Sequence, residues 1–300
     1  MPRISIITCT YNRAHLLGET IASVLRQTYA DFEYLIVDDG STDATAQVVA
    51  SFTDARIKYH WHQRSGGHLS RLRNDCHSMV DSEFIAYADS DDLWEPDKLA
   101  IQLAGLDAHP NAGFSFTDVD FFDTRGTFRS SLYGKEGTLV GNVLPEILKN
   151  RLVICDPTLV LRRSCFKTIG SVDESMQFGI HDMAVRLAGH FSAFVVYRPL
   201  VHVRRHGGNT TDDHNTNLIL MGEQHRTLGK LQTEGLISAS AHRESIAVSA
   251  YSYGVQLRAK GDYDNAFRYF LQSFRLRWLS WKTWVRLLQV LPKKIFRLQP

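Results

Sequence analysis

Short apolar runs alternate with helix-period stretches through the first half of the chain, and this alternation constrains the fold most: it is the pattern of a mostly parallel sheet covered by helices. Ile4 to Thr10 reads as a first strand. Residues 14–27 place Leu16, Leu17, Ile21, Val24 and Leu25 on one helical stripe, and Tyr34-Leu35-Ile36-Val37 reads as a second strand ending in Asp38-Asp39-Gly40. Ser41 or Thr42 is expected to cap the next helix. Ile57 to Trp61 fits a third strand, Ser70 to Val80 a helix, and Phe84 to Ala88 a fourth strand running directly into Asp89-Ser90-Asp91-Asp92. Acids thus arrive at the carboxyl ends of two strands, the edge at which open α/β sheets bind ligands.

Further on, 113–123 and 152–162 read as strands, 181–189 as a helix and Phe194 to Val203 as another strand. The polar, turn-rich stretch from Gly207 to Asp213 marks the expected boundary between a catalytic unit, residues 1–210, and a helical region, 211–300. In that region 242–276 predicts a helical hairpin around Gly261-Asp262, with Tyr251, Gly254, Ala266 and Phe270 spaced as in one tetratricopeptide-type unit. With 300 residues, 44% of them hydrophobic, the chain can bury a sizeable core, which excludes disorder. No stretch approaches the roughly 18 apolar residues of a membrane-spanning helix, and the first apolar run is too short for a signal-peptide core, so a cytoplasmic chain is expected. Cys9, Cys76, Cys155 and Cys165 lie far apart without a C-x-x-C pair, which points to reduced thiols rather than a zinc knuckle or disulfide framework.

Asp89-Ser90-Asp91 is the first chemical candidate, because two carboxylates one residue apart after a buried strand can hold a hard divalent cation against a diphosphate. A second copy, Asp118-Val119-Asp120, shows how readily the pattern arises, and its flanking phenylalanines suggest a strand whose acids face solvent. His60 and His62 share a strand face, but no neighbouring acid in the sequence completes a site, so both are read as structural.

Longer segments, in order, carry more. Ser5 to Arg13, Ser23 to Tyr29, Glu33 to Asp43, Gly67 to Asn74, Ala88 to Asp92, Gly170 to Glu174, His181-Asp182 and Arg204-Arg205-His206 together resemble the family 2 inverting glycosyltransferases of the GT-A fold, over roughly residues 3–211. The resemblance implies transfer of a sugar, with inversion, from a nucleotide-diphosphate donor, a UDP-sugar foremost, to an acceptor hydroxyl. The setting it implies is cell-surface polysaccharide or glycolipid synthesis.

By the same resemblance, Thr8, Tyr11, Asn12, Arg13 and Asp39 match the family's donor pocket, Asp39 being the acid that bonds the base and Tyr11 offering a stacking face. Arg73 matches the arginine near the donor, with Arg71 as a competitor, and Asp89 and Ser90 complete the donor side. Asp91 is expected to hold the cation, Mg2+ or Mn2+, with His206 joining it. Such a cation stabilises negative charge developing on the leaving diphosphate. Asp182 matches the catalytic base that takes the acceptor proton, although the family's Glu-Asp is His181-Asp182 here. The other reading of Asp182 is a first-turn helix residue stabilised by the helix dipole.

Residues 275–300 hold Arg275, Arg277, Lys282, Arg286, Lys293, Lys294 and Arg297 and no acid, so a net charge of +2 hides a tail of +7 and a remainder of −5. Trp278, Trp281, Trp284, Val285 and Leu288 recur along one stripe of that tail. This pattern suits peripheral attachment to an anionic membrane surface, or packing on the catalytic domain. Nucleic acid is not an expected partner, since the rest of the chain is net acidic and no recognition motif occurs. Expected partners are the nucleotide-sugar donor and a saccharide or lipid-linked acceptor. The rival readings are a noncatalytic nucleotide-sugar binder and a nicotinamide enzyme, which the missing G-x-G-x-x-G after the first strand disfavours.

Overall fold

The computed structural model of the chain describes every residue except 65–68, 178, 208, 210–213, 279 and 298–300, and the backbone alone at 214–218 and 291–297. Gly67 and most of the expected boundary segment therefore lie outside the described residues. The chain divides into two compact units, Met1–Val143 with Ile154–Gln224, and Leu144–Val153 with His225–Pro300. The first unit thus runs beyond the expected end at 210.

The first unit is built on one mixed sheet. Its leading elements are β1 (Ile4–Thr10), α1 (Ala14–Leu25), β2 (Phe32–Asp38), α2 (Thr45–Ala50), β3 (Ile57–Trp61), α3 (Leu69–Ser78) and β4 (Phe84–Tyr87). Then follow β5 (Leu93–Trp94), α4 (Lys98–Ala108), β6 (Ala112–Asp123), β7 (Gly126–Arg129) and β8 (Thr138–Gly141). After the short α5 (Leu144–Leu148), which belongs to the second unit, come β9 (Val160–Arg162), α6 (Phe166–Ile169), α7 (Gly179–His190) and β10 (Ser192–Arg204). The strand order is β3-β2-β1-β4-β9-β6-β10-β5, with β7 on β6 and β8 on β10. β2, with Tyr34-Leu35-Ile36-Val37 as its apolar centre, is buried along its whole length, as a strand covered on both faces must be.

β1 pairs in parallel with β2 on one side and β4 on the other, and β2 in parallel with β3. The chain first winds outward from β1 to β3 and then returns to β4 across β1. That reversal opens a crevice at the carboxyl ends of β1 and β4, the switch point where such sheets bind ligands. β10 runs parallel to β6 with register shifts around Pro199, and its far end delivers Arg204 to the same edge as β5.

Two expected elements differ. Only Val160–Arg162 of 152–162 is a strand; Asp156–Thr158 forms a 3-10 turn, because Pro157 fixes φ and has no N–H for a ladder. α2 is not capped by Ser41 or Thr42: Asp43 Oδ1 accepts from the Thr45 amide at 3.0 Å, and both earlier residues turn toward Asn12.

The second unit holds α5 with α9 (Ala239–Ala259), α10 (Tyr263–Leu276) and α11 (Trp281–Arg297); α8 (His214–Thr233) leads into it from the first. α9 and α10 form the expected hairpin, turning at Gly261 with φ +80°. Asp262 caps α10, its Oδ1 accepting from the Asn265 amide at 3.2 Å. A Cβ on Gly254 would come within 2.8 Å of the Phe270 ring, so glycine there sets the close approach of the two helices.

Candidate active site

The loop after β1 is shaped by Asn12, whose φ of +50° an asparagine tolerates better than most residues. Its amide donates to Ser41 Oγ at 2.8 Å and its Oδ1 accepts from the Thr42 amide at 2.8 Å, locking this loop to the one after β2. Of the two acids ending β2, Asp38 is a strut: Oδ1 accepts from the Ser41 amide at 2.8 Å and Oδ2 from Tyr59 Oη at 2.7 Å. Asp39 is the one aimed at the loop side, where Arg64 Nη1 donates to its Oδ2 at 3.1 Å. The Arg64 guanidinium also lies over the Tyr11 ring, 3.3 Å from its centroid. Tyr11, Arg64 and Asp39 thus form one cluster, and Arg13 is tied to the same loops, its amide donating to Thr45 Oγ1 at 3.1 Å. Arg64 lies in none of the motifs and is found only from the structure. His62 stands 4.0 Å from Asp39 and 3.8 Å from Asp75, so the histidine read as lacking acidic neighbours in fact has two.

Thr8 needs correction as a donor contact. It is fully buried; its Oγ1 donates to Ala88 O at 2.7 Å and lies 2.9 Å from Tyr34 Oη, so it braces β1 to the end of β4 instead of lining the crevice.

At the end of β4, Asp89, Ser90, Asp91 and Asp92 take separate places. Asp92 is buried, its Oδ1 accepting from the Arg204 amide at 2.9 Å and its carbonyl from Thr20 Oγ1 at 2.9 Å. Arg204 Nε donates to Asp91 O at 3.0 Å. These bonds fasten the end of β10 to the acidic loop and bring His206 Nε2 to 3.0 Å from Asp91 Oδ2. Asp91 and His206 were expected at one site and do meet. Ser90, between Asp89 and Asp91 in the chain, is buried.

Arg73, one turn into α3, is also buried, while Arg71 is exposed, which separates the two competitors. Arg73 Nη2 lies 3.3 Å from Asp156 Oδ2, a residue of the 3-10 turn that no motif had marked. Burial, with Asp156 and Asp91 alongside, pushes Asp89 up to about 7, and Arg73 opposes the rise. Crowded carboxylates of this kind are what a divalent cation relieves. Among the described residues no three His, Cys, Asp or Glu side chains form a ready-made metal cage.

Asp182, expected as the base, is 1% exposed, and Arg186 Nε donates to its Oδ2 at 2.7 Å across one turn of α7. Arg186 also donates to Ile169 O and, at 3.0 Å, to Ser171 O. The pair fastens α7 to the end of α6 and the loop after it. The second D-x-D is structural too, but not solvent-facing as expected: Asp118 is fully buried and accepts from Ser131 Oγ and, at 2.9 Å, the Leu132 amide.

A family model described as glycosyl transferase family 2 matches residues 5–170. Escherichia coli WfgD, a UDP-Glc:alpha-D-GlcNAc-diphosphoundecaprenol beta-1,3-glucosyltransferase, is 34% identical over 161 residues, 54% of this chain and 60% of that protein. The matches span from about a quarter to three fifths of such relatives' length. Among solved structures, S. aureus TarS 1-349 in complex with UDP-GlcNAc superposes with a TM-score of 0.68 at 16% identity, covering 96% of this chain and 89% of that one. The Pyrobaculum calidifontis mannosyltransferase PcManGT, in complex with GDP-Man and Mn2+, gives 0.56 at 18% identity, covering 99% and 88%. At these identities the likeness is one of fold, the GT-A glycosyltransferase fold. With that architecture and a family match across more than half of the sequence, the chain belongs to glycosyl transferase family 2.

Proposed function

We propose that the protein transfers a sugar, with inversion, from a UDP-sugar to a hydroxyl of a saccharide or lipid-linked saccharide during assembly of a cell-surface polysaccharide or glycolipid. One observation carries this reading: the Tyr11–Arg64–Asp39 cluster and the Asp91–His206 pair lie in the loops following β1 to β4 and β10, and Arg73 stands on α3, paired with Asp156. In the nucleotide's place Asp39 accepts hydrogen bonds from the base, and Tyr11 with Asn12 and Arg13 frames base and ribose. Asp91 and His206 would hold the cation, Mg2+ or Mn2+, together with diphosphate oxygens, and Asp89 and Ser90 lie beside them. Bound there, the cation supplies positive charge to the departing nucleoside diphosphate. Arg73, held by Asp156, adds a fixed positive charge close to Asp89.

The ion pair in which Arg186 holds Asp182, the expected base, favours a second reading, a noncatalytic nucleotide-sugar binder. Nucleotide release separates the two. With UDP-glucose or UDP-GlcNAc, Mn2+ and a GlcNAc-diphosphoundecaprenol acceptor, acceptor-dependent UDP release supports the transferase. Donor binding without release supports the binder.

The basic tail is assigned to an anionic lipid surface. α11 buries Thr283 and Val290 and leaves Trp281, Trp284 and Leu288 exposed, with Trp278 exposed before it. A helix that buries a threonine while two tryptophans meet solvent offers its apolar face to something else, and the acid-free charge of 275–300 complements anionic headgroups. No helix among the described residues is long and apolar enough to cross a membrane. Co-sedimentation with phosphatidylglycerol vesicles, lost in W281S/W284S/L288S and absent with phosphatidylcholine, is the expected result. Unchanged sedimentation of the triple variant would remove the assignment.

A further inference from the structure

The carboxyl end of β1 carries a thiol that the donor pocket leaves unused, and a second thiol faces it. Cys9 of β1 is partly buried and Cys76 of α3 fully buried, and their sulfurs stand 3.9 Å apart, close enough for one thiol to donate to the other. Both are free cysteines, brought together from distant parts of the chain by the packing of α3 on β1.

The surroundings sort the four thiols of the chain. The hydrogen bond from Cys76 and, against burial, the charge of Arg73 hold the Cys9 thiol below its usual range, while Asp89 and Asp39 oppose them from the ends of β4 and β2. The same bond, with burial, pushes Cys76 upward. Cys9 is therefore the member that reaches the thiolate, and Cys76 the protonated partner beside it. Burial pushes Cys155 up to about 12 and Cys165 up to about 11, so both remain thiols, and Cys165 Sγ donates to Gly113 O at 3.3 Å.

We propose that Cys9 and Cys76 form a redox-modification site, which a hydroperoxide converts reversibly into a disulfide that loosens the donor pocket. The Cys9 thiolate attacks one peroxide oxygen. An S–O bond forms, the O–O bond breaks, and the second oxygen leaves with the electron pair and takes up the proton Cys9 had released. Cys9 is then a sulfenic acid. The Cys76 sulfur attacks it: the S–S bond forms, the S–OH bond breaks, and the hydroxide takes the Cys76 proton as water. Two electrons have passed from the thiols to the peroxide. A dithiol reverses the change by thiol–disulfide exchange and ends as its own cyclic disulfide.

Closing the bond draws the sulfurs from 3.9 Å to about 2.0 Å, which shifts the end of β1 against α3. Tyr11 follows Cys9 by two residues, and Arg73 precedes Cys76 by one turn of α3. Thr10, next to Cys9, accepts at its carbonyl from the Asp39 amide at 2.9 Å, so the shift reaches Asp39 as well. The thiol chemistry stands apart from the transferase reading, whereas its effect on nucleotide binding rests on that reading.

The test treats the reduced full chain with hydrogen peroxide, maps its unreduced peptides by mass spectrometry, and measures UDP affinity with Mn2+ before oxidation, after it and after dithiothreitol. A single linked peptide joining Cys9 to Cys76 is expected, with Cys155 and Cys165 still thiols. Cys76→Ser should instead hold Cys9 as a sulfenic acid that dimedone traps, and Cys9→Ser should form no disulfide. Oxidation should weaken UDP binding about tenfold, the scale of one lost charge-assisted hydrogen bond, and dithiothreitol should restore it. No loss of thiol, a linkage through Cys155 or Cys165, or passage of Cys9 to the sulfinic acid without a disulfide would overturn the site. A Cys9–Cys76 disulfide that leaves UDP affinity unchanged would overturn its action on the pocket. A reduced protein that binds no nucleotide would overturn the proposed function instead, and the peptide map would still decide the site.

Discussion

At the residue scale, two neighbours on α7 have opposite fates because they project to different sides of one helical turn. Asp182 points inward to Arg186 and His181 does not. Removing one partner of a buried ion pair leaves the other charge uncompensated, at a cost of about 3–5 kcal/mol. Asp182→Asn should therefore lower stability by about that amount in urea unfolding, and an unchanged midpoint would show the pair to be unimportant. A second residue gives a pH signature. Burial and the nearby Arg73 hold the His77 imidazole down to about 4, while in the unfolded chain it titrates near 6.5. As pH falls from about 6.5 to about 4, the unfolded state takes up a proton that the folded state refuses, so stability declines by up to about 3 kcal/mol. In His77→Gln, the Tm measured over that range should flatten relative to wild type.

The elements were legible where periodicity and burial agree. β1, β2 and β4 are apolar because both faces are covered, and the α9–α10 hairpin was marked by Gly254 and Phe270, which do pack together. The turn at Asp156–Thr158 was hidden because Ile154, Leu159 and Leu161 around it look like strand residues, and only Pro157 argued otherwise. Arg64 and Asp156 escaped notice for a related reason: their roles come from contacts with residues distant in sequence, Asp39 and Arg73, which no local spacing encodes. Asp39, Asp91, His206 and Arg73 stand out in the sequence because each lies in one of the ordered segments that carry the family resemblance. Gly40 shows how a turn serves the site. Its φ is +78°, and a Cβ there would lie 2.9 Å from the Arg64 backbone nitrogen. Gly40→Ala should displace Arg64 from Asp39 and Tyr11 and weaken UDP binding at least tenfold by calorimetry, with global stability reduced by about 1–3 kcal/mol. α4 carries a cost of a different kind. Lys98 is fully buried over the Trp94 ring, its Nζ 3.9 Å from the centroid and without a hydrogen-bond partner among the described residues. Burial pushes that amine well below its usual range. Lys98→Met fills a similar volume without an unsatisfied polar group, so it should raise stability by about 1–3 kcal/mol. A lower Tm would mean that the contact with Trp94 outweighs desolvation.

At the scale of the whole molecule, the order of strands explains why distant segments become one site. The reversal across β1 sets the loops after β1 and β4 side by side, and the long β10 returns 204–206 to the acidic loop. The crowding of Asp89, Asp91 and Asp156 on one side of this crevice, with Arg73 among them, is stable only while protons or cations offset it. On the proposed function, nucleotide-sugar and divalent cation would bind together, through Asp91. The most direct measurement is a thermal-shift matrix of UDP-, GDP-, CMP- and dTDP-sugars, each with and without Mn2+, on the wild-type chain and on Asp91→Asn. A donor at 100 times its dissociation constant adds about 2.7 kcal/mol to stability. Stabilisation by a UDP-sugar that requires Mn2+ and is lost in Asp91→Asn is the expected result. A folded protein that no nucleotide-sugar stabilises, with or without the metal, would contradict it.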